Sequence, residues 1–242
     1  MFTFFHRKPK VILDCFTADP HAYNYAPIVK ASKTIPDWWK VLPKSSKIVT
    51  KTQTIHSNMK KCYGFVELFK RGLVLEHWTD MVIKVDETGY EYVCTTGKQP
   101  SEHSRETYSG SFNNHMHIKL NSPWAFREQT GAHFLYMAAE WSLDNYDFKI
   151  MPGVIEHKVN RASNVNIMIP KKSDPYQIYI PIGQPLLHII PLDNIRVEHR
   201  MHLVTDSEMK KIDMIPPKLT GFVELIKLVK RNEKRNKGRC PF

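Results

Sequence analysis

Glycine is scarce in this chain, with 10 residues against 16 prolines. Few positions therefore rotate freely, and the loops are expected to be stiff. The short motifs that announce the commonest enzyme classes are missing too. The sequence holds no GxxxxGK[ST] phosphate loop, no GxGxxG dinucleotide turn, no GxSxG elbow and no HExxH zinc helix. Its four cysteines, Cys15, Cys62, Cys94 and Cys240, include no CxxC pair and no regular spacing. A disulfide framework or zinc ribbon is thereby excluded, and free thiols in a reducing compartment are expected. No apolar run approaches the ~20 residues that a membrane helix needs. Apolar Met1 to Phe5 precede His6, Arg7, Lys8 and Lys10, the reverse of secretory-signal order, so the chain is expected to stay in the cytoplasm where it is made.

What is present is ordinary for a folded protein: 42% hydrophobic, 24% charged and 11% aromatic residues. That composition supports a sizeable core and excludes a disordered chain. Without internal repeats or low-complexity tracts, residues 1–242 read as one β-rich domain. A Pro/Trp-rich N-terminal arm spans about 17–58, and a basic C-terminal helix and tail about 218–242.

Periodicity sets the expected elements. Lys10 to Phe16 reads as a buried strand, and Pro36 to Lys40 as one helical turn ended by Pro43. Apolar residues at 62, 65, 66, 68 and 69 predict an amphipathic helix over Met59–Arg71 with Gly72 beyond its end. On that reading Cys62 lies on the apolar face as a buried thiol. Alternation through VLEHWTDMVIKV and YEYVC, around Asp86-Glu87-Thr88-Gly89, predicts a hairpin. Further strands are expected at 115–120, 133–138, 153–170 with an interruption, 176–180, 186–190 and 195–204. Many short strands in one series argue for a mainly β fold, a sandwich or jelly-roll-like barrel, with one internal helix and a C-terminal amphipathic helix. In that last helix, Phe222, Val223, Leu225, Ile226 and Val229 form an apolar stripe behind an N-cap at Thr220.

Twelve histidines invite a search for chemistry. On a strand, His115 and His117 share a face and could ligate one metal, with His188 as a possible third ligand. Gly110, five residues earlier, makes this similar to the first cupin motif, and Pro181, Gly183 and His188 echo the second with a longer gap. The cupin glutamate is missing, since Lys119 to Ser122 occupy its place. Ordinary strand histidines are the simpler reading. The turn in Tyr179 to Pro191 is similar to one strand-turn-strand of trimeric dUTPases, without their catalytic hairpin. No cofactor is expected.

Charge and aromatics point elsewhere. The net charge of +11 is concentrated at the C-terminus, where Lys227, Lys230, Arg231, Lys234, Arg235, Lys237 and Arg239 stand against Glu233 alone. Such a tail suits nucleic acid or an acidic surface, though the same charges also solubilise a helix end. Trp38 and Trp39, among prolines, make either a packing plug or an interface anchor.

Several short segments occur in a characteristic order: Ala31-Ser32-Lys33, Ile35-Pro36 and Trp38-Trp39; Lys60-Lys61-Cys62; Asn121, Pro123 and Trp124; Ile180-Pro181, Gly183 and Pro185; Ile189-Ile190-Pro191; then the basic end. In this order, over roughly 26–235, the chain resembles a protein family of marine T4-like and related tailed phages, found sporadically in bacteria. That family brings no catalytic residues. The resemblance implies a gene product made in the host bacterial cytoplasm and carried into the virion. A non-enzymatic structural or assembly protein is therefore expected, such as a decoration, neck or tail accessory protein, homo-oligomeric and contacting other phage structural proteins but no membrane. Trp38, Trp39, Phe222, Leu225, Ile226 and Val229 would make its contacts, and the tail would touch nucleic acid. The alternatives are a cupin-like or dUTPase-like enzyme acting on a small metabolite or nucleotide, and a nucleic-acid-binding accessory protein.

Overall fold

A computed structural model of the chain describes residues 8–43, 46–47, 55–56, 58–95, 100–102, 114–143 and 145–213. The chain begins with β1 (Lys10–Thr17), α1 (Pro20–Tyr25) and β2 (Val29–Lys30). A 3-10 turn at Ala31–Lys33 leads to α2 (Asp37–Val41) and the small pair β3 (Ser46–Lys47) and β4 (Ile55–His56). A second 3-10 turn at Met59–Lys61 precedes α3 (Tyr63–Lys70). Then come β5 (Leu73–Glu76), β6 (Met81–Val85), β7 (Tyr90–Cys94), β8 (Ser101–Glu102), β9 (His115–Leu120), β10 (Ala125–Arg127) and β11 (His133–Ala138). Beyond the 3-10 turn Glu140–Ser142 follow β12 (Lys149–Ile150), β13 (Gly153–Glu156), β14 (Val165–Pro170), β15 (Tyr176–Ile180), β16 (Pro185–Pro191), β17 (Arg196–Leu203) and α4 (Asp206–Asp213).

The fold is mainly β. Its larger sheets run β10-β1-β17, β13-β11-β16-β5-β2, β12-β14-β9-β8 and β15-β6-β7. All four supply one hydrophobic core, through residues such as Leu13, Leu75, Ile83, Ile118, Phe126, Ile167, Ile180 and Ile189. The sheets stay open, and no closed barrel forms among the described strands. Nearly every pair is antiparallel, but β1 and β17 pair in parallel over Lys10↔Arg196 to Thr17↔Leu203.

The hairpin forms as its alternation predicts, Met81↔Cys94 through Val85↔Tyr90. The Asp86 carboxylate holds its turn, accepting from the Thr88 and Gly89 amides at 2.7 and 2.9 Å. The VLE segment, however, belongs to β5 in another sheet. The internal helix is shorter than its apolar pattern, because Cys62 is the residue before the helix and the two phenylalanines at i and i+4, Phe65 and Phe69, are what it buries. Cys62 is consequently exposed, not buried. Helices α1, α2 and α4 accompany it, where only one full internal helix is expected from pattern. The apolar stripe Phe222, Leu225, Ile226 and Val229 and the cations from Lys227 to Arg239 lie outside the described residues.

Helix α3 ends where it must. Gly72 follows it with φ +84°, and a Cβ there would stand 2.3 Å from the Ile189 carbonyl oxygen on β16. No L side chain fits both the left-handed backbone and that approach. Gly72→Ala is expected to lower unfolding free energy by roughly 3 kcal/mol through strain and overpacking. Gly64→Ala, with open space around its Cβ, is expected to be neutral or mildly stabilising. Denaturant midpoints of the two variants check both.

Candidate functional site

Strand β16 is buried on both faces, and its two faces do different work. Leu187 and Ile189 enter the main core together with Leu73, Leu75, Tyr136 and Ala138 of the flanking strands. His188 points the other way, paired across the sheet with Val74 and Met137. On that outer side α3, the turn Ala31–Lys33 and Trp39 form a second apolar cluster around Phe65, Phe69 and Val74.

The cluster is a chain of aromatic rings. Phe69 lies edge-on to His188 at 5.2 Å and against Phe65 at 4.8 Å. Phe65 stacks on Trp39 at 5.6 Å and meets Trp141 edge-on at 4.9 Å. Trp38 completes it, 5.6 Å from Trp141 and 5.7 Å from Phe65. Trp39 is fixed from both sides. Its indole N–H donates to the Met59 carbonyl at 3.0 Å, and the Lys60 ammonium sits 4.3 Å from its ring centre while donating to the Trp39 and Lys40 carbonyls. The two predicted anchors thus divide. Trp39 is the plug, whereas Trp38 and Trp141 each remain 40% exposed, with Val41 of α2 and Tyr63 of α3 more exposed still. Such large aromatic surface held on a rigid support has the character of a contact hot spot. Trp141 is the residue that sequence reasoning missed. It sits in a 3-10 turn after β11, and its only signal is a lone tryptophan in a polar stretch.

The proposed metal set does not assemble. His115 and His117 stand on β9 of one sheet, on the side opposite core residues Met116 and Ile118, whereas His188 lies on β16 of another sheet beneath Phe69. Among the described residues no group of three His, Cys, Asp or Glu side chains is placed to hold a metal. His188 is 2% exposed, and neither of its ring nitrogens has a hydrogen-bond partner among the described residues. Burial therefore holds its pKa down to about 4 and keeps it neutral. Alternation places Glu76 on the same outer face of β5 as Val74. Burial alone raises its carboxyl to about 7.

A second buried array resembles catalytic machinery without access. Cys15, Tyr136 and His157 are enclosed in the main core. His157 Nδ1 lies 2.9 Å from the Asn160 carbonyl, which can only accept, so Nδ1 carries the proton and Nε2 accepts from the Tyr136 hydroxyl at 2.8 Å. Burial pushes the Cys15 thiol and the Tyr136 phenol up and the His157 imidazole down to about 4. The array ties β11 to the segment after β13 and is closed off from solvent. His77 is likewise a core histidine, ringed by the Thr79, Ile180 and Pro181 carbonyls yet held near 4 by burial. An open depression of about 470 Å³ lies between the β6–β7 turn and the start of β15, lined by Lys84, Asp86, Glu91 and Tyr176. Asp86 is already committed to the turn amides.

No protein-family model matches the chain, and no curated protein matches it. No helix of the described residues is long and apolar enough to cross a membrane.

Stability should follow these neutral groups. A histidine at about 4 in the fold and 6.5 when unfolded binds its proton first in the unfolded state, so stability is lost as pH falls from 6.5 towards 4. Each such group removes about 1.4 kcal/mol per pH unit across that window. Glu76 has the opposite sign: its raised pKa favours the fold below 4.5, and that contribution is lost as pH rises through 7. His188→Leu is expected to flatten the acid limb of a pH–stability curve by one proton. Glu76→Gln is expected to gain stability over the parent at pH 8, with the gain vanishing by pH 4.5. Chemical denaturation at pH 4.5, 6 and 8 reads both.

Proposed function

We propose that this protein is a non-enzymatic structural or assembly component of a tailed bacteriophage, made in the host cytoplasm and joined to other particle proteins through the Trp38–Trp141 platform. The observation that carries this reading is the pair of half-exposed indoles on a base fixed by Phe65, Phe69 and Trp39. Preorganised aromatic surface loses little entropy on association, which is why such residues dominate protein contacts. The histidines support the same reading, since His77, His157 and His188 are enclosed and neutral and thus suited to packing rather than to proton transfer with a ligand. The resemblance of its ordered short segments to those of the phage family suggests the biological setting.

Two measurements test it. Mass spectrometry of high-salt-washed particles from the source phage should find the protein in stoichiometric amounts. Light scattering of the purified chain should find an oligomer that Trp38→Ala/Trp141→Ala shifts to monomer while the melting temperature stays within a few degrees. A protein absent from particles but abundant in the infected lysate overturns the structural reading. An oligomer unchanged by the double variant removes the platform from it.

A further inference from the structure

We infer that the outer face of the β10-β1-β17 sheet is a second binding surface, for the phosphate backbone of nucleic acid. Val11, Leu13 and Cys15 of β1 and Phe126 of β10 enter the core, so Ile12, Asp14 and Phe16 face outward. The parallel register places Glu198, Arg200 and His202 beside those three, with Arg196 opposite Lys10 and Arg127 opposite Asp14.

Four cations, Lys10, Arg127, Arg196 and Arg200, therefore surround two carboxylates, and both carboxylates are already engaged. Glu198 pairs with Lys10 and lies 3.7 Å from Arg200. Asp14 takes His202 Nε2 at 2.9 Å and stands 3.8 Å from Arg127, whose guanidinium covers the Phe16 ring at 4.8 Å. Shared in this way, the carboxylates orient the cations without neutralising them. At ~3.3 Å per residue, Arg196 and Arg200 stand about 13 Å apart along β17, roughly the axial rise of four phosphates on one DNA strand.

The last described helix also packs at this surface. Helix α4 packs Met209 against Phe16 and Ala125 at one end of this face, and the Arg161 guanidinium donates to the Ile212 carbonyl at 2.8 Å. From that anchor the chain continues into a sequence with seven cations against Glu233 between 227 and 239. A nucleic-acid strand repeats its phosphates at a fixed spacing that the two arginines match, which a short acidic peptide does not. The folded face and the sequence that follows it thus fit the same partner.

The test is fluorescence anisotropy of the full chain with a labelled mixed-sequence 30-base-pair duplex at 50 to 200 mM salt. Binding should fall linearly with the logarithm of salt. Arg196→Gln/Arg200→Gln should weaken binding and lower the magnitude of that slope by about 2, near 0.9 for each lost phosphate contact. Glu198→Gln should tighten binding, which keeps the inference testable should the double variant fold poorly. Three results overturn it: no binding by the parent chain, an unchanged slope in the double variant with deletion of 227–242 abolishing all binding, or preference for anionic phosphatidylserine vesicles over the duplex at matched charge.

Discussion

A strand buried on both faces must be covered on both, and β16 imposes that demand on the rest of the molecule. Its inward residues, Leu187 and Ile189, need the main core. Its outward His188, with Val74 beside it, needs a second cover, supplied by α3 and the tryptophan segment. The close approach of Gly72 to the Ile189 carbonyl fixes how far from the strand that cover can sit. Aromatic rings are the economical filling for such a space, because each buries a large area while losing few rotamers. The exposed indoles at the edge thus follow from the packing: the cover ends at Trp38 and Trp141, where the sheet no longer needs it.

The same demand explains why histidine serves as a core residue here. Burial keeps the His77, His157 and His188 imidazoles uncharged at neutral pH, so they pack as polar aromatics. Only His157 has a fully assigned donor and acceptor pair, and it joins two elements far apart in sequence. Acid sensitivity is then expected of the core. Glu76 moderates it, since its proton uptake over the same range favours the folded chain.

How much of this was legible in the sequence depends on whether a signal is local. The hairpin across Asp86–Gly89 and the strands at 133–138 and 176–180 carry period-two alternation, and they form where that pattern places them. Strand β10 has three residues inside an Asn/Pro/Trp turn, too few for any period to register. Cys62 was expected inside a helix starting at Met59, but the helix begins at Tyr63 and turns its buried stripe away from the preceding residue. Nothing local could reveal that β1 pairs in parallel with β17, some 186 positions along the chain, or that Trp141 would meet Trp38. The three-histidine set fails to come together for the same reason. His115 and His117 share a strand face, but a third ligand depends on which sheets face each other, and His188 is on the far side of another.

The charged outer face of β17 has a competing explanation in edge protection. An eight-residue strand at the border of a sheet invites pairing with another chain, and charges on it discourage that. Alternating Arg196, Glu198 and Arg200 would already provide edge protection, however. It does not call for Lys10 and Arg127 on the neighbouring strands of the same face. A surplus of one sign costs self-repulsion in the folded state and stabilises nothing within the chain. What it selects is a partner of opposite sign, so the surplus beyond edge protection is the part that calls for a ligand.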